Sequence, residues 1–138
     1  MKIVLDHLGV AVRSIDRSLA FWRDALGADL EGTEVVPTEK VRTAFLPVGE
    51  ARVELLEPTD PDSTVARFLD RRGEGIHHVC FRVDDIDAAL RRLGERGIEP
   101  VGEAPRPGAQ GCRVAFLHPR DTGGILVELS ERPDEPRS

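Results

Sequence analysis

The sequence predicts an α+β fold built from two tandem βαβββ modules, and three observations lead there. Apolar residues switch between period-two and helical spacing in the order strand, helix, strand, strand, strand, and that order runs twice. The second run repeats the first at a fixed interval: His78 lies 71 residues after His7 (78 − 7), and the same interval separates Asp87 from Asp16, Leu90 from Leu19 and Phe116 from Phe45. Turn-forming residues punctuate the short strands where hairpins are needed.

The 138 residues, 40% hydrophobic and 32% charged, suit one compact domain with a core of its own. A formal charge of -6 with scattered basic residues excludes a nucleic-acid footprint. No apolar run approaches the roughly 20 residues of a membrane span. The opening Met1-Lys2-Ile3-Val4-Leu5 enters a strand pattern and not a signal peptide, so a cytoplasmic protein without a membrane partner is expected. Cys80 and Cys112 stand apart from any C-x-x-C pair and read as reduced thiols.

The first strand runs from Lys2 to Val12, with Val10 and Val12 on the bulky face and His7, Gly9 and Ala11 on the other. Ile15, Leu19, Trp22 and Leu26 recur at helical spacing after a Ser14 cap, and Gly27 suits a left-handed stop. Strands over 29–36, 41–47 and 52–57 complete module one, about 1–57. A linker of about 58–75 encloses a short helix in which Val65, Phe68 and Leu69 share a face. Module two, about 76–131, holds a strand over 76–83 and a helix with Ile86, Leu90 and Leu93 inward, ending near Gly97. Strands near 99–102, 111–117 and 125–130 follow, and the polar tail 132–138 is expected to fray. Val127-Glu128-Leu129 lies 74 residues after Val53-Glu54-Leu55 (127 − 53), so the last hairpin of module two is three residues longer, at Asp121-Thr122-Gly123-Gly124.

Strand parity sets Glu54 apart from Val53 and Leu55, and Glu128 apart from Val127 and Leu129. Both glutamates thus share a surface with the histidines. A lone strand histidine is usually a hydrogen-bonded structural residue and a lone glutamate at a strand end is usually solvated. A histidine and a glutamate at matching places in both halves of a repeat favour a ligand set instead. His7, Glu54, His78 and Glu128 offer nitrogen and oxygen donors to a divalent metal, with positions left open for substrate. His77 matches Asp6, points away from His78 and reads as structural; His118 matches Pro47 and reads as a turn residue. Arg82, Arg106 and Arg120 carry charge that suits a phosphate or carboxylate, and the sequence does not choose among them.

The doubled pattern with its paired His and Glu resembles the vicinal oxygen chelate superfamily, which includes glyoxalase I and the extradiol dioxygenases. Within it the chain is similar to the methylmalonyl-CoA epimerase family over nearly its whole length. Three stretches carry that resemblance: Glu54-Leu55-Leu56-Glu57-Pro58, Gly75-Ile76-His77-His78-Val79 and the run from Phe116 to Leu129.

The resemblance implies a curved mixed sheet around a metal cleft, helices outside, in a homodimer. It also implies a divalent ion, with cobalt favoured and nickel, manganese, zinc or magnesium able to meet the same ligands. The implied substrate is an acyl-CoA thioester, (R)- and (S)-methylmalonyl-CoA interconverted through an enolate. Glu128 carries over as metal ligand and base. Bacterial relatives place a second glutamate where this chain has Thr43, and a threonine hydroxyl is too weak an acid to replace it. Three substitutes are, in order, Glu54, a water held by Thr43, and Glu39. Glu128 and Glu54 are therefore the expected catalytic pair. The same scaffold also accommodates a glyoxalase I-like lactoylglutathione lyase or a non-catalytic small-molecule-binding protein.

Overall fold

The structure, a computed structural model, describes residues 2–133; the remainder of the tail, 134–138, lies outside the described residues. Contacts group the chain into two compact units, His7–His77 and the residues up to Asp6 together with those from His78 onward.

The first unit holds most of β1 (Ile3–Ala11), then α1 (Ile15–Leu19), β2 (Gly32–Val36), β3 (Val41–Val48), β4 (Ala51–Pro58) and α2 (Thr64–Arg72). Its strands lie in the order β2-β3-β4-β1, antiparallel except for the parallel β1–β4 pair. Period-two alternation decides the faces. Val12, Ala44, Leu46, Val53 and Leu55 turn to one side and form a core with Ile15 and Leu19 of the helix, against which Val10 and Trp22 pack. The opposite side carries His7, Thr43, Phe45 and Glu54, all buried. In α2, Val65 and Leu69 are the buried residues, as the spacing predicts.

The first helix departs from the regular helix that the spacing from Ile15 to Leu26 predicts. Ser14 caps it by accepting from Arg17 N at 3.2 Å. After Leu19 the chain widens into a π-helical segment, Ala20–Ala25, with Leu26 N donating to Phe21 O at 2.8 Å. The extra residue per turn rotates Leu26 off the buried stripe. Leu26 is consequently 58% exposed, whereas Trp22 stays on the core. Gly27 takes φ +93° and ends the element where expected.

A second cap was not visible in the spacing: Glu57 Oε1 accepts from Ile15 N at 2.9 Å, meeting one of the helix's orphan donors. Module two repeats the device, with Glu131 Oε2 accepting from Ile86 N at 2.8 Å. Replacing Glu57 by Ala is expected to lower stability by about 0.5–2 kcal/mol, the usual worth of a helix cap. Denaturant unfolding should register that loss, while substrate turnover stays near wild type.

The second unit contains most of β5 (Gly75–Val83), then α3 (Ile86–Gly94), β6 (Arg106–Pro107), β7 (Arg113–Leu117) and β8 (Val127–Glu131), ordered β5-β8-β7-β6. Val83, Ile86, Ala89, Ala115, Leu117 and Leu129 form its core, with Leu90 and Leu93 packed against it. The pairing registers repeat those of the first unit. Gly9 and Phe45 both face Glu54, and their counterparts Cys80 and Phe116 both face Glu128.

The strand expected over 99–102 is reduced to a single bridge, Pro100 to Leu117, beside Val101 N donating to Phe116 O at 2.8 Å. β6 forms instead, at Arg106–Pro107, pairing with Val114 and Arg113. Prolines at 100, 105 and 107 lack the N–H a continuous ladder requires, so pairing in this stretch is confined to short pieces. The three extra residues of the final hairpin lie in a 3-10 turn, Pro119–Asp121, followed by Gly123 and Gly124 at positive φ. Among the described residues, no helix is long and apolar enough to cross a membrane.

Candidate metal centre

Each unit contributes one histidine and one glutamate in contact. In the first, β1 and β4 run parallel and bring His7 Nδ1 to 3.0 Å from Glu54 Oε2. In the second, β5 and β8 bring His78 Nε2 to 3.0 Å from Glu128 Oε1. All four residues are buried. The pairing follows from the repeat, because parallel strands at the same register place the same residue types side by side twice, although His7 meets its glutamate through Nδ1 and His78 through Nε2.

Glu54 Oε2 is buried and accepts no hydrogen bond among the described residues. His7 Nδ1 and Arg52 Nη2 lie 3.0 and 3.1 Å from it, within ion-pair range but without hydrogen-bond alignment. A buried carboxylate oxygen beside a guanidinium but without an aligned hydrogen bond keeps lone pairs that a metal ion could take.

The donor set also fits a metal. Ligands about 2.0–2.2 Å from one ion at right angles stand roughly 3 Å from each other, which is the His–Glu separation in both units. Imidazole and carboxylate together suit borderline and hard divalent ions, and neither pair includes a thiolate.

Aromatic rings line both pairs. Phe116, directly across from Glu128, meets the His78 ring edge-on at 5.7 Å, and the Arg106 guanidinium lies 5.3 Å above Phe116. Phe45, directly across from Glu54, carries the Arg52 guanidinium at 5.0 Å. Neither arginine's stacking was evident from charge alone. The repeat signalled only the rings, because Phe45 and Phe116 occupy matching positions whereas Arg52 and Arg106 do not.

Other sequence candidates fall elsewhere. His77 packs edge-on against Phe68 of α2 at 5.2 Å. His118 caps the 3-10 turn, its Nδ1 accepting from Arg120 N at 3.1 Å. Arg82 sits 3.6 Å from the buried Asp6 carboxylate. Cys80 and Cys112 form no disulfide among the described residues, and Cys80 is fully buried.

Residues 6–116 match the family described as the Glyoxalase/Bleomycin resistance protein/Dioxygenase superfamily. The ethylmalonyl-CoA/methylmalonyl-CoA epimerase of Cereibacter sphaeroides is 39% identical over 129 residues, spanning 92% of this chain and 96% of that protein. The crystal structure of methylmalonyl-CoA epimerase from Mycobacterium tuberculosis aligns at TM-score 0.90 with 40% identity, covering 95% of this chain and 89% of that one. A variant of the Streptomyces coelicolor methylmalonyl-CoA epimerase in complex with 2-nitronate-propionyl-CoA aligns at TM-score 0.92 with 34% identity, covering 99% and 100%. The chain therefore belongs to the glyoxalase/bleomycin resistance/dioxygenase superfamily. Within it, the chain is a member of the methylmalonyl-CoA epimerase family.

Proposed function

We propose that this protein is a divalent-metal-dependent methylmalonyl-CoA epimerase, a cytoplasmic homodimer whose metal ligands are His7, Glu54, His78 and Glu128. The observation that carries the reading is the buried His–Glu pair made twice at one register, in a chain whose relatives bear the epimerase name.

Epimerisation removes the α-proton between a thioester and a carboxylate and returns one to the other face of the planar enolate. A bound ion would supply Lewis-acid stabilisation of the charge that develops on the thioester oxygen, with cobalt favoured among the metals that suit these donors. The chain's own residues supply the proton transfers. Glu128, beside His78, takes and returns the proton on one face.

For the other face, Glu54 is the proposed second acid and base: it is buried directly across from Phe45, with His7 and Arg52 against its carboxylate. Thr43 is buried on the same side of the sheet, but its hydroxyl does not titrate in the working range. Glu39 ranks behind them, because β3 runs four residues from Phe45, across from Glu54, back to Val41 (45 − 41) before the turn that holds it. It is half-buried in the turn before β3, between exposed Thr38 and Lys40, and its carbonyl accepts from Ser63 Oγ at 3.4 Å.

Incubating the protein with methylmalonyl-CoA in deuterium oxide tests the reading. Deuterium is expected at the α-carbon, lost on chelation and restored on reloading. Failure to exchange with any of cobalt, nickel, manganese, zinc or magnesium present would sink it.

A further inference from the structure

We propose that Arg106 recognises the free carboxylate of the substrate and so selects a malonyl-type thioester over a plain acyl thioester. The inference rests on the epimerase reading and extends it to substrate selection.

β6 is only two residues long, yet its pairing fixes where Arg106 points. Arg106 lies opposite Val114, and cross-strand partners share a face. Val114 and Phe116, two residues apart in β7, share that face in turn. Phe116 stands directly across from Glu128 and against His78. The guanidinium of Arg106 is therefore on the same face as the His78–Glu128 pair, stacked 5.3 Å above the intervening ring.

Its seat is closed from a second direction by bare backbone. A Cβ on Gly102 would lie 3.3 Å from Arg106 Nη1, so a side chain there would crowd the guanidinium. A planar cation braced by an aromatic face loses little freedom when its fork meets a carboxylate.

Comparison with the first unit separates the two arginines. Phe45 and Phe116 are repeat partners, and each carries an arginine. Arg52 comes from β4 and is directed at Glu54, 3.1 Å away. The position 74 residues after Arg52 is Leu126 (126 − 52), so the repeat supplies no arginine there. Arg106 reaches the second ring from β6 instead.

The test uses the metal-loaded full chain and two ligands, methylmalonyl-CoA and propionyl-CoA, which differ by the carboxylate alone. Arg106→Gln is expected to weaken methylmalonyl-CoA binding about 10- to 100-fold, the loss typical of a charge-assisted hydrogen bond. Propionyl-CoA affinity should stay at the wild-type value. KM for epimerisation should rise by a similar factor with kcat changed far less, and Arg106→Lys should recover part of the loss, because charge returns without the fork. Equal weakening of both ligands would place the contact on the CoA arm and overturn the proposal, as would unchanged methylmalonyl-CoA binding. Failure of the epimerase reading itself would show separately, as absent solvent exchange in the wild-type protein.

Discussion

Glu128→Gln is expected to reduce α-proton exchange and epimerisation about a thousandfold, within the 10²–10⁴ that a positioned general acid or base contributes. Glutamine keeps the volume of the side chain and one oxygen for the ion, but it cannot accept the α-proton. The fold should tolerate the change. Glu128 is buried against His78, and replacing a buried anion by a neutral isostere removes a desolvation cost at the same time as it weakens a contact. A stability change of about 1 kcal/mol or less, roughly 4 °C in Tm for a domain of this size, is the expected result. Metal content measured on the purified variant separates lost proton transfer from lost loading. A folded, loaded and fully active Glu128→Gln protein would remove Glu128 from the chemistry.

That such a focused prediction is available reflects how the chain encodes its site. The repeat was legible because strand parity is rigid: a slip of one residue would have moved Glu54 or Glu128 to the core face. Matching intervals of 71 and 74 therefore carried positional information as well as sequence likeness, and the paired registers of Glu54 and Glu128 bear this out. The α+β class and the doubled strand order followed from the same periodicity.

What the sequence left hidden depends on geometry that periodicity does not encode. The π-helical segment hangs on hydrogen bonds such as Leu26 N to Phe21 O, and a hydrophobic stripe at Ile15, Leu19, Trp22 and Leu26 fits a regular helix equally well. The stretch from Glu99 to Pro107 carries strand-like residues, but its prolines decide which backbone groups can pair, and only Arg106–Pro107 and the Pro100 bridge do so. Arginine stacking on Phe45 and Phe116 depends on side-chain rotamers, so charge alone ranked Arg82, Arg106 and Arg120 together. In the structure, Arg82 meets Asp6, whereas Arg106 joins the face of His78 and Glu128.

The second base gives the sharpest mechanistic test. Inversion requires proton transfer on both faces of the enolate, whereas isotopic exchange requires only one. In Glu54→Gln, which keeps one oxygen for the ion, Glu128 can still remove the α-proton from one epimer and return a solvent-derived deuteron to the same face. The expected outcome is a loss of epimerisation by about 10²–10⁴ with deuterium wash-in retained for a single epimer. Proton NMR of each pure epimer in deuterium oxide reads both quantities in one experiment. The wild-type protein should exchange either epimer with inversion. The contrast is informative because damage to folding or metal loading would suppress exchange of both epimers together, leaving no asymmetry. If Glu54→Gln still interconverts the epimers at the wild-type rate, the second proton transfer belongs to another group. A water held by Thr43, and then Glu39 in the turn before β3, would be the next groups to test.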